Sequence, residues 1–201
     1  MFRDAKFRLV KLLLMMFAGL ASTAHAVDFM GMVGVGKDDG GERIYSGSYT
    51  TGVSWDVQTN TGFLFRIGGA VNMGILQTQF AAGYKKNGAN ATNGYAYFDT
   101  YPLELFEYIR IGSLRLGAGA IYHVNTKLKI SGPGYTGPDT YEFDNAMGSA
   151  AEIGWIISDE KDFMASLDLR ATKARFKQKD VANAYEYNGD VVGLNISVYF
   201  K

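Results

Sequence analysis

The chain has 201 residues, with 20 Lys and Arg against 20 Asp and Glu, so its formal net charge is zero. That balance argues against a nucleic-acid-binding arm and against a polyacidic tail. There is no cysteine, which removes disulfide frameworks, Cys-ligated zinc, thiol nucleophiles and a lipid-modified N-terminal Cys. The 25 Gly, 13 Tyr and 13 Phe beside only 3 Pro fit many ordered strands, and a mean hydropathy of −0.06 is too low for a bundle of membrane helices.

The first segment is a separate object. Arg3, Lys6, Arg8 and Lys11 make a basic start opposed only by Asp4, Leu12 to Leu20 is apolar, and Ala24-His25-Ala26 is an A-x-A site. These are the three zones of a secretory signal peptide. The apolar run of about ten residues is short of the roughly 20 that span a bilayer as a helix. Cleavage after Ala26 leaves residues 27–201. The leader carries four of the basic residues and one of the acidic ones, so the remaining 175 residues hold 16 against 19, a net charge of −3.

From Val27 onward the dominant period is two, the signature of strands. Val27 to Lys37 is Gly-interrupted and less decisive. Tyr49 to Gln58 alternates Tyr49, Thr51, Val53, Trp55 and Val57 with Thr50, Gly52, Ser54 and Asp56. Phe63 to Met73 sets Phe63, Phe65, Ile67 and Val71 against Leu64, Arg66, Gly68 and Asn72. Tyr95 to Ile111 breaks phase near Phe106–Glu107, which reads as a bulge. The longest run, Leu114 to Ile130, puts Leu114, Leu116, Tyr122, Leu128 and Ile130 on one face and Arg115, Ile121, His123, Lys127 and Lys129 on the other. Glu142 to Ile157, Phe163 to Arg170 and Val192 to Phe200 repeat the split.

That makes eight strands. Tight turns are expected at 59–62, 112–113 and 158–162, and long connections at 38–47, 74–94, 131–141 and 178–188. The last of these ends on Tyr185, Tyr187 and Asn188. Phe80 to Tyr84, inside the second long connection, would raise the count to ten if it formed its own hairpin. Three short turns and four long loops are what an up-and-down eight-stranded barrel requires when both ends of the chain lie on one side.

Each strand has an apolar face and a polar or glycine face. In a soluble barrel or sandwich the apolar face turns inward; in an outer-membrane barrel it turns to lipid. The polar face carries both charge signs: Arg66, Arg115, Lys127, Lys129, Glu142, Asp144, Glu152, Asp168 and Arg170, with Asp56 beside them. Eight strands leave an interior only wide enough to be filled with side chains, so these charges are expected to pair as a lumen network. Lys127 and Lys129 face Glu142 and Asp144 across one hairpin. Trp55, Phe63 and Trp155 lie beside the expected short turns, where an interfacial aromatic girdle belongs. The reading is an all-β, up-and-down antiparallel transmembrane β-barrel over residues 27–201, with a soluble periplasmic barrel as the alternative.

The C-terminal strand, Val191-Val192-Gly193-Leu194-Asn195-Ile196-Ser197-Val198-Tyr199-Phe200, resembles the assembly signal of small eight-stranded outer-membrane barrels, the class of the OmpA transmembrane domain, OmpX and OmpW. Leu194, Ile196, Val198 and Phe200 carry the pattern, and Lys201 departs from it by following the terminal Phe. The resemblance covers essentially all of residues 27–201. It implies export by a Sec-type route, insertion into a Gram-negative bacterial outer membrane by the barrel-assembly machinery, and contact with outer-membrane lipid and lipopolysaccharide.

Chemistry is weakly signalled, and neither a catalytic residue nor a cofactor is implied. Some barrels of this class modify lipid A, and the deacylase pattern has His-x-Ser facing the membrane. Here the sequence is His123-Val124-Asn125, and the alternation puts His123 with the lumen set. A lone His is a poor transition-metal site. Glu142, Asp144 and Glu152 lie near basic partners, which favours ion pairs over glycoside chemistry. Asp38, Asp39 and Glu42 read as a solvated acidic loop before a weak Ca²⁺ site. Lys173 and Arg175 fall outward beyond the apolar band, where basic side chains suit lipopolysaccharide phosphates. The functional reading is a structural or surface-interaction role through the extracellular loops, with no nucleic-acid partner. A narrow pore and a lipid A-modifying enzyme are the alternatives.

Overall fold

The computed structural model describes residues 27–48, 54–91, 94–132, 135–137 and 139–201. Residues 1–26, read above as a signal peptide, lie outside the described residues. Every regular element among those described is a strand. In chain order they are β1 (Val27–Gly40), β2 (Arg43–Ser48), β3 (Ser54–Gln58), β4 (Gly62–Met73), β5 (Leu76–Ala91), β6 (Gly94–Ile111) and β7 (Leu114–Ser131). β8 (Thr140–Glu142), β9 (Ala146–Glu160), β10 (Phe163–Lys173), β11 (Arg175–Lys177), β12 (Glu186–Asn188) and β13 (Val191–Phe200) follow.

Eight of these strands form the wall: β1, β4, β5, β6, β7, β9, β10 and β13. Each pairs antiparallel with the next, and β13 returns to β1 from Gly31↔Phe200 through Gly40↔Val191. Since β1 also pairs with β4 from Val27↔Met73, the sheet is closed and has no free edge. The chain is thus an up-and-down eight-stranded antiparallel barrel. Three connections are two-residue turns: Gly74-Ile75, Gly112-Ser113 and Lys161-Asp162. Gly74 and Gly112 sit at φ 64° and 59°, a left-handed backbone that glycine adopts without steric cost. These turns share one end of the barrel, the turn end, with Val27 and Phe200. The opposite, loop end carries the extensions.

The strand count agrees with the sequence, but one member differs. In the segment expected at 49–58, residues 49–53 lie outside those described. Ser54–Gln58 form β3, which pairs with β2 in a hairpin beyond the wall. The missing wall strand is β5, inside the stretch expected as a loop at 74–94, and it pairs along its length with β4 and β6. The reason is chemical. The outward positions of β5 include Thr78 and Ala82, so its apolar face is weak, and its inward face holds Gln77, Gln79 and Lys85. The turn at 59–62 accordingly belongs to the loop end.

Phase is the second correction. β6 runs in unbroken register past Phe106 and Glu107 on both sides. The bulge lies in β7, where the register to β6 shifts between Asp99 and Tyr101 and Asn125 adopts φ 52°. Before it the inward set is Arg115, Ile121 and His123; after it Thr126, Leu128 and Ile130 turn inward. Lys127 and Lys129 therefore project outward, away from the lumen.

The inward side chains beyond the bulge build a cap. Phe98, Leu128, Ile130, Phe143, Phe176 and Val57 form one buried cluster at the loop end, with Tyr45, Trp55 and Tyr187 packed on it. Backbone bonds stitch the hairpins over it: Glu42 N–H to Asn188 O, 2.6 Å, Thr59 N–H to Glu42 O, 2.9 Å, and Gly189 N–H to Ala174 O, 3.0 Å. A left-handed backbone costs an L-residue about 1–2 kcal/mol, less for Asn than for a branched side chain. Asn125→Gly should therefore keep stability. Asn125→Val should lower it by about 1–2 kcal/mol, read as the urea midpoint of the refolded barrel.

Candidate functional site in the barrel interior

The lumen is occupied by a charge ladder. Nearest the turn end, Arg115 on β7 donates from Nε and Nη2 to both carboxylate oxygens of Asp168 on β10, at 2.9 and 2.8 Å. Its third nitrogen donates to Gln77 Oε1, 3.0 Å, and to Tyr199 Oη. At mid-height Arg170 donates to both oxygens of Glu104, 2.7 and 3.0 Å, and through Nε to Glu152. Arg66 on β4 reaches Glu104 at 3.2 Å and Ser197 Oγ at 3.2 Å. Tyr108 Oη donates to Glu152 at 2.6 Å. Toward the loop end Lys85 pairs with Asp38 and donates to Asn60 O and Oδ1, both 3.0 Å.

These groups are buried, and three Arg and one Lys face two Glu and two Asp. A buried charge is tolerated only when paired and hydrogen-bonded. Aromatic faces complete the packing: the Arg115 guanidinium lies 4.2 Å from the Tyr108 ring centroid and that of Arg170 lies 4.8 Å from Phe106. Such contacts strengthen when desolvated. Below the ladder, at the turn end, Met30, Met32, Ile156, Met164 and Tyr199 form an apolar floor.

The structure brings together Arg66, Arg115, Glu152, Asp168 and Arg170 from the residues the sequence singled out. It adds Glu104, which the misplaced bulge at Phe106–Glu107 had obscured although Leu103 and Leu105 flank it in clean alternation. It also adds Lys85 and Asp38, the first of which sits on the unrecognised strand. Asp38 is thereby neutralised inside the barrel and is not part of an acidic loop. Lys127, Lys129, Glu142 and Asp144 stand outside the ladder. Lys127 meets Glu142 at 3.1 Å and Lys129 meets Asp99 at 2.9 Å on the outer side of the wall, while Asp144 bonds through its backbone N–H to Lys177 O. Asp56 pairs with Arg43 at 3.8 Å on the exposed β2–β3 hairpin.

Trp55, expected beside a short turn, is on β3, half-buried with its ring centroid 5.8 Å from that of Tyr45. The cause is the reassignment of its strand to the cap. Phe63 projects outward at the loop end of β4, and Trp155 outward near the turn end of β9, 61% exposed. Leu194, Ile196, Val198 and Phe200 line the outward face of β13. The Phe200 ring lies over Gly31, where a Cβ would come within 2.8 Å of it. His123 is buried, with Nδ1 3.4 Å from Thr100 Oγ1 and its ring 5.1 Å from Phe176. Lys173 is exposed at the end of β10. Arg175 is held by Asp190, Asn188 and the Ala174 carbonyl.

No protein family and no curated protein matches the sequence. Among solved structures the chain is similar to Neisserial surface protein A (NspA), with a TM-score of 0.50 and 12% identity over 88% of this chain and 99% of that one. It is also similar to the outer membrane protein AlkL, with a TM-score of 0.47 and 12% identity over 89% and 92%. The outer membrane protease OmpT from Escherichia coli gives a TM-score of 0.33 at 10% identity over 86% and 93%. At these identities the first likeness establishes a shared fold: that of the small eight-stranded outer-membrane barrels.

Two consequences are measurable. Arg170→Ala removes the bidentate partner of Glu104 and one partner of Glu152, leaving them to Arg66 and Tyr108, and should cost about 3 kcal/mol. Arg170→Met combined with Glu104→Gln should cost less, and urea unfolding separates the two. At the loop end, hydrogen bonding to Lys127 holds the Glu142 carboxyl below its usual pKa, and Arg175 does the same for Asp190. A carboxyl depressed in the folded state adds stability above its unfolded pKa of about 4 and loses it as pH falls through the folded value. Protection of the Asn188 and Gly189 amides against hydrogen exchange, relative to the intrinsic rate at each pH, should therefore fall below about pH 4, while the wall amides stay protected.

Proposed function

We propose that this chain is an integral outer-membrane barrel, exported by cleavage after Ala26, that acts at the cell surface through its loop-end cap and hairpins. The observation that carries the membrane reading is the outer face of the wall. Phe29, Phe65, Ile67, Leu105, Ile153, Trp155, Leu169 and Leu194 all project outward and are between 50% and 69% exposed. A contiguous apolar belt around a closed barrel is unfavourable in water and matches a hydrocarbon slab. The short turns then face the periplasm and the cap faces outward, as this class of barrel is built.

A surface role is supported by the construction of the cap. Its exposed hairpins, β2–β3 and β11–β12, are held on a rigid wall, the arrangement in which loops serve recognition. Outer-membrane lipid, lipopolysaccharide and the barrel-assembly machinery are the partners this reading entails. Of the two, Lys173 makes no ion pair among the described residues and is the one placed to meet lipopolysaccharide phosphates, since Arg175 is engaged by Asp190. The enzyme alternative is weaker because His123 lies inside the barrel beneath Phe176, away from membrane lipid. The pore alternative is weaker because the ladder and the cap occupy the path.

Fractionation with a heat-modifiability gel tests the reading. The chain should be recovered in outer membranes, start at Val27 by mass spectrometry, and migrate differently before and after boiling. A single unchanged band in the soluble fraction overturns it.

A further inference from the structure

One ionisable side chain sits inside the apolar belt. Glu107 projects from the outward face of β6 between Leu105 above and Ile109 below, which are 50% and 47% exposed. Thr78 on β5 and Ala118 on β7 flank it in register. Phe80, one outward step above Thr78, and Leu116, one outward step below Ala118, are exposed apolar residues as well. Among the described residues, Glu107 is the one ionisable outward side chain of the wall with exposed aliphatic residues both above and below it on its own strand.

A carboxyl in hydrocarbon is costly, and one retained there marks a contact. The partner that the barrel itself supplies is Thr78, whose Oγ1 donates to Oε1 at 3.0 Å and to Oε2 at 2.9 Å. That hydroxyl orients the carboxyl group but brings no counter-charge. Without one, the group stands in lipid as the neutral acid, with an O–H donor beside a carbonyl acceptor. Acyl chains offer neither a donor nor an acceptor to meet them.

A group that sets one donor beside one acceptor is its own complement. Two such acids related by a two-fold axis exchange two hydrogen bonds, which is the self-matching pattern of an isologous interface. The surface beside Glu107 is low. Ala118 and then Ala151 continue its row across β7 and β9, and small side chains let a second surface approach closely.

We propose that two copies of this chain pair side by side in the membrane through β6, with their Glu107 carboxyls hydrogen-bonded to each other across a two-fold axis. Thr78 is the positioning residue in each copy. The contact rests on the membrane reading above.

The chain has no cysteine, so single Cys substitutions report the contact without background. Leu105→Cys, one outward step from Glu107, is treated with a bismaleimide in isolated outer membranes. Leu194→Cys on β13, across the barrel from β6, is treated in parallel. Leu105→Cys should give a dimer band that contains this chain alone by mass spectrometry, and Leu194→Cys about tenfold less of it. Adding Glu107→Leu to Leu105→Cys should cut the band about tenfold. Adding Glu107→Gln should retain it, because an amide also sets a donor beside an acceptor. Every variant is checked for the shift between unboiled and boiled bands. Equal crosslinking at Leu105→Cys and Leu194→Cys overturns the proposal, as does an unchanged band with Glu107→Leu. Loss of the band with Glu107→Gln, or a band that contains a different protein, overturns it too. Any of these results with the chain in outer membranes removes this contact alone, whereas a soluble chain overturns the membrane reading with it.

Discussion

Closing eight strands leaves an interior only as wide as the side chains that fill it, and at the middle of this barrel the apolar faces of the wall strands are turned away from that interior. What fills it must then be polar, buried and neutral. Arg66, Arg115 and Arg170 with Glu104, Glu152 and Asp168 meet that condition at mid-height, and Lys85 with Asp38 meets it above. Each Arg fork engages a carboxylate from a different strand, so the network ties the wall across its diameter as well as around it. Glycine makes room for it. A Cβ at Gly154 would come within 2.1 Å of Asp168 Oδ1, and one at Gly117 within 2.3 Å of the Tyr108 ring. The cost of removing eight charges from water is offset only because the partners are close and geometrically matched.

The interior changes character along its axis, and one residue marks the change. Below Asn125, β7 sends Arg115, Ile121 and His123 inward; above it, Thr126, Leu128 and Ile130. The charged layer therefore gives way to an aromatic and aliphatic cap that buries Phe98, Phe143 and Phe176. The same bulge moves Lys127 and Lys129 to the outer side. A local left-handed backbone thus decides both what closes the lumen and on which side of the wall Lys127 and Lys129 stand. His123 occupies the boundary, with Thr100 on one side and Phe176 on the other.

The two ends of the barrel differ for a simple reason. Two-residue turns close the β4–β5, β6–β7 and β9–β10 hairpins and leave nothing to cover that end except the methionine floor. At the other end the chain has the length to fold back. Thr59 Oγ1 donates to Asn188 O at 2.6 Å and Asn60 Nδ2 to Gly189 O at 2.8 Å, joining the β3–β4 connection to the hairpin before β13, some 129 residues away in the chain. These bonds make the cap part of the barrel rather than a set of separate loops.

The sequence by itself determined the class, the up-and-down order and the inward set on β4, β9, β10 and β13; its eight matched the wall only because β3 was counted where β5 was missed. Those properties follow from period-two alternation, which a strand expresses without help from its neighbours. It did not identify β5, whose outward Thr78 and Ala82 carry too little apolar signal. Nor did it separate β5 from β3, whose Trp55 and Val57 alternate just as cleanly but bury their apolar face in the cap. Only the tertiary structure decided where phase breaks. A bulge is a disagreement between two paired strands, visible in the register of Asp99 and Tyr101 against β7, and a single strand read alone contains no register to disagree with.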